Sequence, residues 1–138
     1  MQADLNRTLE TCTLGNWPEC RATALLTSYF CGYSPECGDP DSAASLALAK
    51  NRVAKSYIAV GVLEELPQSL QLYEAELPQF FTGLVRFFKR KMPNANRNSY
   101  QNANANVVEE LGRRFHQDVE LYHFAVAQFH KKLLQSSI

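Results

Sequence analysis

Three histidines recur at every seventh position near the end of the chain: His116, His123 and His130. Imidazole is a common metal ligand, so this row raises the question of a metal site. On a helix, neighbouring members would be about 10 Å apart, too far for one ion to bind both without ligands from elsewhere. We therefore interpret the histidines as a surface row and expect no metal site.

All four cysteines lie within the first 37 residues of the chain. Turn-forming residues separate Cys12 from Cys20 and Cys31 from Cys37, which favours local disulfides. Three connectivities are possible, and pairing nearest neighbours closes the shortest loops. Zinc is an alternative, although structural zinc ligands usually come as tighter C-x2-4-C pairs, and buried thiols are a third reading. We expect the disulfides Cys12–Cys20 and Cys31–Cys37, and hence an oxidising compartment.

A glycosylation acceptor triplet, Asn6-Arg7-Thr8, precedes the first cysteine and agrees with the secretory pathway. Residues 1–10 lack the continuous apolar core of a signal peptide, so we expect a targeting segment to lie upstream or to be missing. No apolar run approaches the roughly 20 residues that a bilayer-spanning helix needs. Any membrane attachment is therefore expected to use an anchor absent from this chain.

A local cationic stretch could bind anions. Its members are Arg86, Lys89, Arg90, Lys91 and Arg97. Guanidinium groups match sulfate and carboxylate in a bidentate way, so this stretch suits an anionic polysaccharide or a nucleotide. The alternative is a solvated helix end whose basic residues complement the helix dipole.

Acidic residues offer two further candidates. Asp118 lies between Phe115 and Tyr122 on an apolar helix face, where a buried carboxylate needs a partner. We expect a structural hydrogen bond to a loop in preference to an acid/base role. Glu64 and Glu65 follow an apolar run, at the edge where α/β folds bind ligands, and we interpret them as helix-capping residues in preference to a ligand-binding pair.

The composition excludes some functional classes. Of 138 residues, 46% are hydrophobic and 20% are charged, as in soluble globular domains. Lys and Arg together number 14, as do Asp and Glu, so no overall field draws the chain onto nucleic acid. We expect a packed fold whose anion preference, if any, comes from a local patch.

The elements that must position these residues follow from the pattern of apolar residues. Residues 1–40 read as a loop-rich segment pinned by disulfides. Residues 56–61 (SYIAVG) form a short apolar run typical of a strand buried on both faces. Residues 92–106 read as a loop containing six asparagines. Helices are predicted over residues 43–54, 64–77, 78–91 and 107–134.

This pattern predicts an α/β fold, mostly helical, with one clear buried strand. A strand between two helical segments belongs to a parallel sheet, and a sheet cannot consist of one strand. We therefore expect one partial domain overall, in which residues 1–40 are the disulfide-pinned segment and residues 41–138 supply the closing strand and helices.

An ordered series of motifs carries a family resemblance. The motifs are residues 29–37 (YFCGYSPEC), 57–66 (YIAVGVLEEL) and 77–83 (LPQFFTG). Together with the cysteine spacing, they resemble the carboxy-terminal third of the heparan sulfate and uronyl 2-O-sulfotransferases, nearest to the insect Pipe branch. The resemblance covers roughly residues 12–129 and implies the carboxy-terminal part of a P-loop-like sulfotransferase fold.

The resemblance implies transfer of a sulfuryl group from 3′-phosphoadenosine 5′-phosphosulfate to the 2-hydroxyl of a uronic acid in a heparan sulfate-like glycosaminoglycan. In the family, the phosphosulfate loop and the histidine base lie before the paired cysteines, and neither has a counterpart here. We therefore expect the chain to be inactive alone and to need the upstream part of the same enzyme. A secreted disulfide-stapled binding module, or an inactive paralogue, is the alternative.

Some roles carry over by position. The resemblance places Arg97 against the sulfated substrate, and Phe88, Asn94 and Ser99 near the nucleotide. It implies no metal cofactor, and a location in the Golgi lumen as part of a single-pass type II membrane protein. Enzymes of the family can assemble as trimers partly through their terminal tails, and the sequence leaves open whether this protein is a homo-oligomer.

Overall fold

The computed structural model describes residues 8–91 and 103–136. Their regular structure is helical, with eight α-helices joined by turns and short 3-10 helices. The α-helices are α1 (Leu9–Leu14), α2 (Leu25–Cys31), α3 (Ala43–Lys55), α4 (Leu66–Glu76), α5 (Pro78–Phe81), α6 (Leu84–Lys91), α7 (Ala105–Arg114) and α8 (His116–Gln135).

The predicted α/β fold class is wrong for the part of the chain that the structure describes. No residue in it belongs to a β-strand, and the apolar run at residues 56–61 forms an irregular connection between α3 and the 3-10 turn Leu63–Glu65. An apolar run of this kind becomes a strand only when a neighbouring strand takes up its backbone hydrogen bonds.

Side chains of α4 satisfy this backbone instead. The hydroxyl of Tyr73 accepts the N–H of Gly61 at 2.9 Å. Ser69 Oγ accepts the N–H of Val62 at 2.8 Å and donates to its carbonyl at 2.9 Å. A Cβ on Gly61 would lie 2.9 Å from Ser69 Cβ, so glycine is required for this close approach. The segment is therefore attached to α4 through side chains.

The helix predicted at residues 43–54 is confirmed as α3. The hydroxyl of Ser42 accepts the backbone N–H of Ser45 at 3.1 Å, which is the hydrogen bond of a polar cap. Two other predicted helices are each divided. Gly83, whose φ is 86°, separates α5 from α6, and Phe115 separates α7 from α8. Glycine adopts positive φ without steric cost, which explains the first break.

The chain divides into two compact units, residues 1–49 with 100–121 and residues 50–99 with 122–138. In the first unit, α1 packs against α7. Its disulfides join Cys12 to Cys20 and Cys31 to Cys37, with Cα–Cα distances of 5.9 and 5.7 Å. These are the nearest-neighbour pairs that the sequence favoured. The domain boundary at residue 40 stays a prediction.

The second unit has a core in which Val62, Leu72 and Phe129 are buried together. Ala59, Val126 and Leu133 pack against them. This core joins the irregular segment, α4 and the second half of α8, and α4 in turn packs against α6. Within the described residues, none of the helices combines the length and apolar character needed to cross a membrane.

Candidate functional site

The helix α6 carries four of the five predicted anion-binding cations, and a carboxylate of α4 fixes where it begins. Glu74 accepts the N–H of Gly83 at 2.7 Å and the N–H of Val85 at 3.1 Å. These hydrogen bonds lower the pKa of Glu74, and the one from Gly83 makes the larger contribution. An ionised Glu74 therefore serves as a cap for α6 from another helix.

Phe88, which was predicted to lie near the nucleotide, is half-buried on α6. It lines a mainly apolar cavity of about 210 Å³ together with Pro67, Leu70, Val85 and Lys89. An aromatic ring beside a lysine offers a flat apolar surface and a positive charge in one place. This combination is chemically compatible with a phosphorylated nucleoside.

The cations of α6 point to the solvent. Arg86, Lys89, Arg90 and Lys91 are all exposed, and Lys89, Arg90 and Lys91 form the last turn of the helix. The other predicted site residues, Asn94, Arg97 and Ser99, lie outside the described residues. So does Asn6, the predicted glycosylation site. Their roles stay predictions.

The histidine row is exposed, and its members have separate surroundings. His116 Nδ1 lies 3.2 Å from the carbonyl of Arg113, and His130 Nε2 lies 2.7 Å from Glu65 Oε1. Within residues 8–91 and 103–136, no group of three His, Cys, Asp or Glu side chains is arranged to hold a metal ion. All four cysteines are in disulfides, which removes the zinc reading of those residues.

Glu65 lies at the N-cap position of α4 but does not cap the helix through its side chain. The first residue of α4 follows Glu65, whose side chain makes no capping hydrogen bond and contacts His130 instead. The pKa of Tyr122 is raised, mainly by burial and to a smaller extent by a hydrogen bond with Glu64. Both carboxylates thus join the start of α4 to α8 within the second unit.

Asp118 has the structural role that its position suggested. Its carboxylate is buried and accepts four hydrogen bonds from the first turn of α2. The donors are the N–H groups of Leu25, Leu26 and Thr27, at 2.7, 2.9 and 2.8 Å, and the Thr27 hydroxyl at 2.8 Å. The residue before α2, Ala24, has no capping side chain, so Asp118 supplies the cap from a distant part of the chain.

An ion-pair cluster that the sequence analysis missed holds the first disulfide loop. Arg114 donates to Glu110 at 2.6 Å, to the carbonyl of Cys20 at 3.0 Å and to that of Thr13 at 2.8 Å. Arg113 donates to the same carboxylate through Nε and Nη2 at 3.0 and 2.8 Å. The spacing of Glu110 from both arginines is a recognisable helical pattern, but nothing in the sequence points to the loop carbonyls.

The hydrogen bonds from the two arginines lower the pKa of Glu110 from 4.5 to about 2, and the one from Arg113 makes the largest contribution. A lowered folded-state pKa means that the carboxylate stabilises the fold above its unfolded pKa and loses this effect as pH falls. We expect Glu110→Gln to be less stable than the parent protein at pH 7. The difference should shrink between pH 4.5 and about 2, as measured by urea unfolding at each pH.

The control for this experiment is Glu109→Gln, which removes an exposed carboxylate from the neighbouring position. Its stability should follow that of the parent protein across the same pH range, because the change removes no comparable hydrogen bond. A stability difference for Glu110→Gln that is the same at pH 7 and pH 2 would contradict the assignment.

No protein-family model matches the chain, but curated sulfotransferases are similar to most of its length. It is 35% identical to "Uronyl 2-sulfotransferase" of Homo sapiens over 129 residues, covering 88% of this chain and 32% of that protein. It is 30% identical to "Heparan sulfate 2-O-sulfotransferase 1" of Xenopus laevis over 130 residues, covering 89% and 36%.

A third relative, "Heparin sulfate O-sulfotransferase" of Drosophila melanogaster, is 28% identical over 141 residues, covering 93% of this chain and 39% of that protein. The resemblance to the heparan sulfate and uronyl 2-O-sulfotransferases is thereby confirmed. The chain is a homologue of the uronyl and heparan sulfate 2-O-sulfotransferases and spans about a third of the length of these relatives.

Proposed function

We propose that this chain is the carboxy-terminal portion of a glycosaminoglycan uronyl 2-O-sulfotransferase that acts on a heparan sulfate-like acceptor. The observation that carries the proposal is the 35% identity to human uronyl 2-sulfotransferase over 129 residues. Because the chain spans about a third of that relative, we propose that it works with an upstream part of the same polypeptide.

The reaction is an in-line transfer. The 2-hydroxyl oxygen of a uronic acid attacks the sulfur of 3′-phosphoadenosine 5′-phosphosulfate, and a base takes the hydroxyl proton. The bond from sulfur to the bridging phosphate oxygen breaks, and 3′-phosphoadenosine 5′-phosphate leaves. The phosphosulfate loop and the base belong to the upstream part in this proposal.

The chain's own contribution is to complete the nucleotide pocket and part of the glycan cleft. We assign Phe88, Asn94 and Ser99 to the nucleotide and Arg97 to the sulfated substrate. The position of Phe88 and Lys89 at one cavity supports the first assignment. The exposed cations of α6, next in sequence to the segment that carries Arg97, support the second, since an anionic polymer is attracted by positive charge.

The cellular setting follows from the same proposal. Disulfides persist in oxidising compartments, and two are present in the first unit. We propose a Golgi-lumenal enzyme, held in the membrane by an anchor outside this chain, with sulfated or uronic-acid-containing polysaccharide as its partner and Asn6 as a glycosylation site.

A chimeric enzyme tests the function. In human uronyl 2-sulfotransferase, the segment that this chain matches would be replaced by the chain, and transfer of radioactive sulfate to partly desulfated heparan sulfate would be measured. We expect transfer well above that of a version lacking the segment. Arg97→Ala in the chimera should raise the KM for the polysaccharide roughly tenfold, because one charge-assisted contact is lost.

The matched control is Lys55→Ala, which removes an exposed cation at the end of α3 and should leave this KM unchanged. An unchanged KM in the Arg97→Ala chimera would remove Arg97 from the site. A chimera that is secreted, disulfide-bonded and able to bind heparan sulfate, yet transfers no sulfate, would contradict the proposed catalysis and support the inactive paralogue.

A further inference from the structure

A second basic surface lies in the first unit, apart in sequence from α6. An open cavity of about 420 Å³ is lined by residues of the first disulfide loop, of the segment before α3 and of the junction between α7 and α8. We call it the arginine pocket. Its lining includes Arg21, Thr23, Asp41, Arg113, Arg114 and His116.

The balance of charge in the arginine pocket is positive. With His116 neutral, three guanidinium groups and the carboxylate of Asp41 line the pocket, and the carboxylate of Glu110 pairs with Arg113 and Arg114, so positive charge still exceeds negative charge. Asp41 Oδ2 already accepts the hydroxyl of Thr23 at 2.7 Å. Phe, Tyr and Trp are absent from its described lining, and the imidazole of His116 is the one ring among those residues. The several guanidinium groups suit the sulfate and carboxylate groups of a sugar.

Arg21 is held in place with donors to spare. Its Nε donates to the carbonyl of Asn16 at 2.9 Å. Asn16 has a φ of 51°, a left-handed conformation that asparagine tolerates better than most residues. Among the described residues, the two Nη groups of Arg21 have no hydrogen-bond partner. A guanidinium already oriented by one bond loses less side-chain entropy when it binds an anion.

The side chain of Arg113 is also oriented by hydrogen bonds, which it donates to Glu110 of the same helix, α7. Glu110 takes its Nε and Nη2 donors, while Nη1 has no partner within residues 8–91 and 103–136. Its side chain is 73% exposed. Arg114, by contrast, is 11% exposed and uses its donors on Glu110 and the loop carbonyls, which fixes the loop that leads into Arg21.

We propose that the arginine pocket is a second binding site for an acidic polysaccharide, in which Arg21 and Arg113 donate to sulfate or carboxylate groups of the sugar. The choice of a glycosaminoglycan as the polymer rests on the proposed function. The existence of an open, positive pocket with oriented donors does not rest on the proposed function, because it is a property of the described residues alone.

The test uses the 138-residue chain, secreted from an oxidising host with both disulfides verified. Arg21→Gln with Arg113→Gln would be compared with Lys55→Gln and Lys131→Gln, which remove the same charge from exposed positions of the second unit. The dissociation constant for a heparan sulfate oligosaccharide would be measured by calorimetry at fixed salt. We expect the arginine pair to weaken binding roughly tenfold and the lysine pair less than threefold, because only the arginine pair removes oriented contacts with the polymer.

Both arginines are exposed, and circular dichroism with disulfide mapping would establish that the two variants fold as the parent chain does. Equal weakening by the two pairs would overturn the site, because the polymer would then respond only to net charge. No weakening by the arginine pair, or no measurable binding by the parent chain, would overturn it as well.

Two further ligands identify the source of the anion. Inorganic sulfate at the same total sulfate concentration should bind much more weakly, since it lacks the neighbouring groups of the polymer. Binding of 3′-phosphoadenosine 5′-phosphate that depends on Arg21 and Arg113 would overturn the assignment to polysaccharide. The same arginine changes in the chimeric enzyme separate the two proposals: sulfate transfer with an unchanged polysaccharide KM contradicts only the second site, whereas arginine-dependent binding without transfer contradicts only the catalysis.

Discussion

Asp118→Ala should lower the free energy of unfolding by about 3 kcal/mol or more, because it leaves three backbone N–H groups and one hydroxyl at the start of α2 without their acceptor. Unfolding in urea would measure the total effect. Amide hydrogen exchange would locate it, since the N–H groups of Leu25, Leu26 and Thr27 should lose protection before the rest of the chain.

Two other changes make this prediction specific. Asp118→Asn keeps the shape of the side chain but retains only one acceptor oxygen, so its loss of stability should be large as well. Glu109→Ala removes an exposed carboxylate from α7 and should change stability by no more than about 0.5 kcal/mol. A midpoint for Asp118→Ala equal to that of Glu109→Ala would show that the carboxylate is dispensable as a cap.

Phe129→Ala should have a comparable effect on the second unit, lowering the free energy of unfolding by about 3–5 kcal/mol. Phe129 is 2% exposed and lies in one core with Val62 and Leu72. Removing the ring leaves a cavity between α4, α8 and the irregular segment. Because α4 packs against α6 and caps it through Glu74, we also expect weaker binding of anionic ligands to α6.

Phe80→Ala provides the matched control for the loss of a phenyl ring. Phe80 belongs to the same unit but is 75% exposed, so its removal should cost less than about 1 kcal/mol. Thermal unfolding of both variants beside the parent protein would measure the difference. If Phe129→Ala and Phe80→Ala were equally stable, the buried cluster would not be the core of this unit.

Local chemistry made parts of the fold predictable. Cys12 and Cys20, like Cys31 and Cys37, are close in sequence with turn formers between them, so the shortest loops were the favoured pairs. The helix at residues 43–55 could be predicted because its composition and its Ser42 cap are both local signals. The ordered motifs were sufficient to indicate the family, since similarity to relatives does not depend on knowing the fold.

Predictions failed where a distant residue decides the structure. The run at residues 56–61 has the composition of a strand, but Tyr73 and Ser69 of α4 take up its backbone hydrogen bonds. The break at Phe115 interrupts a sequence whose apolar pattern continues through it. Periodicity records which residues prefer burial and contains no information about which group will satisfy a given N–H.

The sequence by itself favoured the observed disulfide pairs and determined the helical character of most segments, the need of Asp118 for a partner and the relationship to the 2-O-sulfotransferases. Only the tertiary structure decided that α2 is that partner, that Glu74 caps α6, and that Arg21 and Arg113 line one pocket. The physical reason is the separation along the chain between the groups that interact. Turns, caps and short loops depend on neighbouring residues, whereas a carboxylate that caps a helix about 90 residues away depends on how the whole unit packs.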